Sequence, residues 1–154
     1  MDRGTDISGL GSNGGGSAPE ENWSWDKPYS HIRTCNILLE KAEAYDGSQS
    51  DIAQSVGTAY FFRAWQHFYL LQHFGGVPIS DHVLTVSDGV LQAPRNSRYE
   101  VAAFIMSDLR EAVKHLPKET EIPEGSKGKV SKEAAKSFLA RVLLYEATWE
   151  KYVP

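Results

Sequence analysis

The sequence predicts an all-α fold of tetratricopeptide-like stacked helical hairpins with long connecting loops. Three observations lead there. Apolar residues recur at helical spacing in four separate stretches, and nothing between them supports a sheet. Glycine and proline clusters divide the stretches into a helix pair, a long loop and a second helix pair. There is also an internal echo: Ala59-x-x-Phe62-x-Ala64 matches Ala135-x-x-Phe138-x-Ala140, and Tyr69 then matches Tyr145. Its spacing departs from the usual period of about 34 residues, so the echo suggests a solenoid without defining one.

Residues 1–24 read as a Gly/Ser/Asn-rich surface loop or flexible segment, and residues 25–154 as the helical region. Gly11 to Ser17 has linker composition and cannot build a core. The first helix is predicted from Trp25 or Asp26, with Asp26 as N-cap and Pro28 in the first turn, where proline is tolerated. Tyr29, Ile32, Asn36 and Leu39 form its face, and the turn around Gly47 ends it.

The second helix, capped by Ser50 or Asp51, is apolar nearly all round and belongs inside the helical stack. It stops at Gly75-Gly76, and Pro78 forces Val77 into an extended conformation. Arg63 is the oddity within it. A buried guanidinium needs a partner, and Asp108 or Glu111 could supply one. Residues 76–96 then form a long connection of the kind that is often functional.

The third helix opens with a capping box, Ser97 and Glu100, and ends at Leu116-Pro117. A charged loop follows. The fourth helix starts at Ser131 with Glu133 in its first turn. Ala134, Ala135, Phe138, Leu139, Val142, Leu143 and Tyr145 are its predicted apolar side, with Ala135 and Ala140 small enough for close helix approach.

Composition narrows the function. With a net charge of −4 and a pI near 5.7, the chain has no basic run able to track a phosphate backbone, so a nucleic-acid partner is excluded. There is no phosphate-binding glycine loop or dinucleotide fingerprint, so no nucleotide or other cofactor is expected. The single cysteine, Cys35, permits no internal disulfide and reads as a helix residue. The five histidines have no ligand spacing, so no metal site is expected. Hydrolysis would need two carboxylates facing across a cleft, and no such pair stands out, so the chain reads as non-enzymatic. No apolar run approaches the ~20 residues that span a bilayer.

The aromatic content is the best lead. Most of the aromatic residues should be core, and Trp25 reads as structural. Trp23 is read as lying in a Gly- and Asn-rich loop, where an exposed indole flanked by Asn22 and by Asp6 could stack a sugar ring and hydrogen-bond its hydroxyls. The alternative is that it staples the loop onto the first helix.

Several joined motifs resemble the SusD/RagB family of nutrient-binding outer-membrane lipoproteins of Bacteroidetes. Trp25-x-x-x-Tyr29-x-x-Ile32-x-x-x-Asn36 resembles its first helix. The segment from Ala59 through Arg63 and Trp65 to Phe74-Gly-Gly-Val-Pro78 resembles its signature. Gln92-x-Pro94-Arg95, then Asp108-Leu109 and Leu116-Pro117, and then Lys132-x-Ala134-Ala135 to Tyr145 resemble the segments that follow. The resemblance implies a tetratricopeptide-like scaffold without catalysis. It implies a surface protein that binds glycans or other nutrients and hands them to a TonB-dependent transporter in the cell outer membrane. The export signal and lipid-bearing cysteine of the family are not in this sequence, Cys35 being no substitute, and family members run much longer. The chain is therefore expected to be an incomplete N-terminal part. A helical-repeat module that binds a protein partner is the alternative.

Overall fold

The computed structural model describes residues 22–89 and 93–153. Among them the regular elements are α1 (Trp23–Glu43), α2 (Gln49–Phe74), α3 (Arg98–His115) and α4 (Lys132–Tyr152), with single 3-10 turns at Glu119–Glu121 and Glu124–Ser126. The all-α prediction holds, and all four helices appear in the expected order.

Their ends follow from local chemistry. α1 begins earlier than its sequence suggests. Asn22, not Asp26, is the N-cap: its side-chain oxygen accepts the Ser24 N–H at 3.1 Å. Asp26 supports that cap from inside the first turn, accepting the Asn22 N–H at 2.8 Å. α2 also starts earlier, after Ser48, whose side chain makes no capping bond. α3 carries the predicted capping box between Ser97 and Glu100. Ser131 caps α4 through the Ala134 N–H.

α2 is central. α1 runs antiparallel to it: Leu39 clusters with Val56 and Ala59, Asn36 meets Arg63, and Trp25 meets Phe74. On its other side α3 is antiparallel as well, with His115 beside Tyr60, Asp108 beside Arg63, and Phe104 beside His67. α4 lies along α3 and inserts Phe138 among Phe61, Trp65 and Phe68 of α2. Leu70, Leu71, Ile105 and Leu109 are fully buried in the shared core. Each such residue contributes roughly 1.5–3 kcal/mol relative to exposure.

Arg63 is paired with Asp108, which settles the choice left open with Glu111. Nε and Nη2 donate to the two carboxylate oxygens at 2.8 and 2.7 Å. Nη1 donates to the Asn36 side-chain oxygen at 2.9 Å and to the Asp81 carbonyl at 2.8 Å. Burial alone would lower the guanidinium pKa, but the bonds to Asp108 and its charge more than offset this, and the net shift is upward. One side chain thus joins α1, α2, α3 and the connection beyond α2.

That connection, residues 76–97, begins after Gly75, whose positive φ of 69° is one that glycine adopts without a Cβ clash. Gly76 passes so close to the Asn96 carbonyl that a Cβ there would lie 2.2 Å from its oxygen, so the two ends of the loop meet. The Asn96 side chain also accepts the Ile79 N–H. Between them the backbone is held by side chains rather than by a ladder. Tyr29 Oη donates to the Pro78 carbonyl, Asn36 Nδ2 to those of Ser80 and His82, and Arg33 Nη1 to that of Leu84, while Glu40 accepts the Val83 N–H. This is how an aperiodic segment satisfies its polar groups.

Three packing expectations change. Phe62 and Trp65 of α2 are each 43% exposed: Phe138 of α4 packs on one part of Trp65 and leaves the rest of it, and Phe62, open. α2 is therefore not buried all round. On α4, Ala134, Ala140 and Leu143 face outward, leaving Ala135, Phe138 and Val142 as the buried line. The internal echo survives at Ala59 and Ala135, both buried, and fails where Phe62 is exposed and Phe138 buried.

His67 is fully buried. Its Nδ1 donates to the Arg63 carbonyl at 3.0 Å, since a carbonyl can only accept; Nε2 is then an unpartnered lone pair. Desolvation lowers its pKa from 6.5 to about 4. The unfolded chain therefore binds this proton more tightly. The associated stability is intact above about pH 6.5 and is lost as pH falls to about 4, on the order of 3 kcal/mol. Melting temperatures measured across this window should fall for the native chain and fall less steeply for His67→Phe. An equal slope in both would remove His67 as the cause.

Candidate functional site

The exposed face of α1 beside the connection carries the aromatic and polar groups of interest. Trp23 is the first residue of α1 rather than part of a loop, and its indole is 74% exposed. One helical turn on, Lys27 places Nζ 4.5 Å from the centre of the indole, covering one ring face by a cation–π contact. Trp23, Asp26, Lys27 and Ser30 line a shallow depression of about 580 Å³.

Ser30 also lines the neighbouring groove, of about 540 Å³, together with Trp25, Tyr29, Arg33 of α1 and Pro78 and Ser80 of the connection. This size lies within the usual range of small-ligand sites. Trp25 is half-buried, packed edge-on against Phe74 and tilted against Tyr29, and the Arg95 guanidinium sits 5.0 Å above its ring. That bears out its structural role and also makes it a wall of the groove. Burial raises the Tyr29 pKa above that of an ordinary tyrosine, against the opposing pull of Arg95. Its hydroxyl therefore stays protonated and keeps donating to Pro78. Two aromatic rings, one half-buried and one exposed, thus lie along a surface supplied with hydroxyl, ammonium and guanidinium donors. Flat apolar area beside directed polar groups is suited to a ring whose edges bear hydroxyls.

Of the residues proposed from sequence, Asn22 and Trp23 are adjacent at the start of α1, and Asp6 lies outside the described residues. Asn22 has a structural task, since its side-chain oxygen is committed to the cap. Sequence reading missed Lys27, Ser30 and Arg33. The signal was present, because Trp23, Lys27 and Ser30 follow helical spacing once the helix is started at Trp23.

Other reactive groups do not form a catalytic arrangement among the described residues. Burial pushes the Cys35 thiol up to about 11, away from a nucleophilic thiolate. Asp81 and Asp88 converge on His82 at 2.6 and 3.5 Å. Both carboxyls are held below their usual range, Asp81 chiefly by the His82 hydrogen bond and Asp88 chiefly by the Thr85 N–H. Neither is poised as a general acid.

The described residues thus form a helical-hairpin scaffold with an aromatic and polar groove along α1. The comparisons give the family. A family profile described as "Starch-binding associating with outer membrane" matches residues 17–144, and the chain belongs to this SusD-like family. A SusD-like protein from Bacteroides ovatus is 30% identical over 138 residues, covering 86% of this chain and 24% of that protein. SusD-like protein P38 from Formosa agariphila is 37% identical over 100 residues, covering 62% of this chain and 18% of that protein. The crystal structure of a SusD-like protein from Bacteroides fragilis superposes with a TM-score of 0.75 at 32% identity, covering 82% of this chain and 24% of that one. A laminarin-binding SusD-like protein gives a TM-score of 0.71 at 28% identity, covering 82% and 27%. The chain thus spans about a quarter of the length of the relatives it matches.

The two sequence-selected residues should separate by role. Asn22→Ala should cost about 1 kcal/mol in chemical denaturation through loss of the cap. Trp23→Ala should change stability by less than about 0.5 kcal/mol. The reverse order would make Trp23 a staple and Asn22 dispensable to the helix.

Proposed function

We propose that this chain is part of a non-catalytic glycan-binding component of an outer-membrane nutrient-uptake system. In the whole protein, anchored at the cell surface as a lipoprotein, the captured glycan passes to a TonB-dependent transporter. The family description and the laminarin-binding relative support the glycan class. The observation that carries the reading to particular residues is the exposed Trp23 indole, which continues through Ser30 into the groove at Trp25 and Tyr29. Lys27 covers one face of the indole, so a sugar stacks on the other. Ser30 and Arg33 supply hydrogen bonds along the edge. Asp26 contributes the oxygen not engaged by the cap.

Phe62 and Trp65 of α2, each 43% exposed, favour a second reading, contact with a protein partner at α2. The two surfaces are separate, so the readings are independent.

Affinity electrophoresis through polysaccharide-containing gels tests the first. Trp23→Ala should weaken retention at least about tenfold, equivalent to about 1.4 kcal/mol, with helicity by circular dichroism unchanged. Unaltered migration would remove Trp23 from the site.

A further inference from the structure

We propose that the α1 site takes a negatively charged glycan, one bearing carboxylate or sulfate groups. This rests on the glycan-binding reading above and specifies its substrate class.

Three cations border the aromatic surface from separate positions. Lys27 stands over Trp23, Arg33 lines the groove beside Tyr29, and Arg95 stands over Trp25 from the far end of the connection. Among the described residues none of the three has a carboxylate within ion-pair distance, whereas Arg63 and Arg98, which hold the core together, are both neutralised, by Asp108 and Glu146. Arg33 spends one donor on the Leu84 carbonyl, which fixes the guanidinium and leaves other N–H groups for a ligand.

The neighbouring acids keep their negative charge but each directs an oxygen to another group, Glu40 to the Val83 N–H among them. Asp26 accepts the Asn22 N–H, Asp81 is bound by His82, and Glu100 is held in the Ser97 capping box. Lys27, Arg33 and Arg95 thus bring three cations without an ion-pair partner among the described residues to the aromatic surface of a chain whose net charge is −4. A neutral sugar would gain hydroxyl hydrogen bonds from these donors but would leave their charge uncompensated as water is displaced. A carboxylate or sulfate matches a guanidinium fork and gives shorter, stronger bonds. The aromatic rings supply stacking for the sugar ring, and the cations select the substituent on it.

The test uses the whole 154-residue chain with three polymers: polygalacturonate, dextran sulfate and neutral laminarin. Retention by at least one polyanion should exceed that by laminarin about tenfold and fall as salt is raised from about 50 mM to about 500 mM. The polyanion preferred identifies carboxylate or sulfate as the recognised group. Lys27→Gln/Arg33→Gln/Arg95→Gln should abolish the preference, while Lys129→Gln/Lys136→Gln, at two exposed lysines outside the groove, should keep it. If the triple variant loses helicity, Lys27→Gln alone, at an exposed position, should lower polyanion retention in the same direction. Equal or better retention by laminarin, an unchanged triple variant, or an equal loss in the Lys129/Lys136 control would each overturn the charged-ligand proposal while leaving glycan binding in place. Retention by none of the three would overturn both.

Discussion

A single buried guanidinium holds this structure in register. Arg63 sits at the middle of α2 and makes four hydrogen bonds, to Asp108 of α3, Asn36 of α1 and the Asp81 carbonyl of the connection. Tyr60 and Phe104 flank it at 5.3 and 5.1 Å. A buried charge is tolerated only when paired and hydrogen-bonded, so helix sliding or rotation that breaks these contacts is costly. Apolar packing supplies most of the free energy of the stack. The Arg63 cluster selects one arrangement of it, a role that buried polar groups fill because their geometry is directional.

The same cluster positions the surface where recognition is proposed. Asn36 accepts from Arg63 and donates to Ser80 and His82, so the guanidinium, α1 and the connection form one network. Tyr29, Arg33 and Glu40 add further ties along the outer edge of α1. Residues 77–84 of the connection, which have no helix or strand, are thereby held as one wall of the groove. The helices lie behind the groove and the connection in front. Loops held on a helical scaffold are where binding residues commonly sit.

The helices were legible because their information is local: apolar spacing, the Ser97–Glu100 capping box, the Ser131 cap and the glycine stop. The start of α1 was misread because Asn22 and Asp26 are both competent caps, and the choice depends on Asp26 reaching back to the Asn22 N–H. That shift hid the row from Trp23 through Lys27 to Ser30. The partner of Arg63 could be narrowed to neighbours on the third helix but not chosen, since helical rotation decides it. The exposure of Phe62 and Leu143 was illegible for a related reason: periodicity gives the direction of a face, and the neighbouring helix sets its width. The connection was the least readable segment, because its hydrogen-bond partners lie far away in sequence.

The role of Arg63 as the organising contact is tested most directly by a double-mutant cycle with Asp108, read by urea denaturation. Arg63→Met and Asp108→Leu should each cost about 3–5 kcal/mol, because each leaves a buried charge alone. The double variant should cost less than the sum by several kcal/mol, since both charges are then gone. Additive losses would contradict the account, showing that the two side chains contribute independently and that the stack is registered by apolar packing alone.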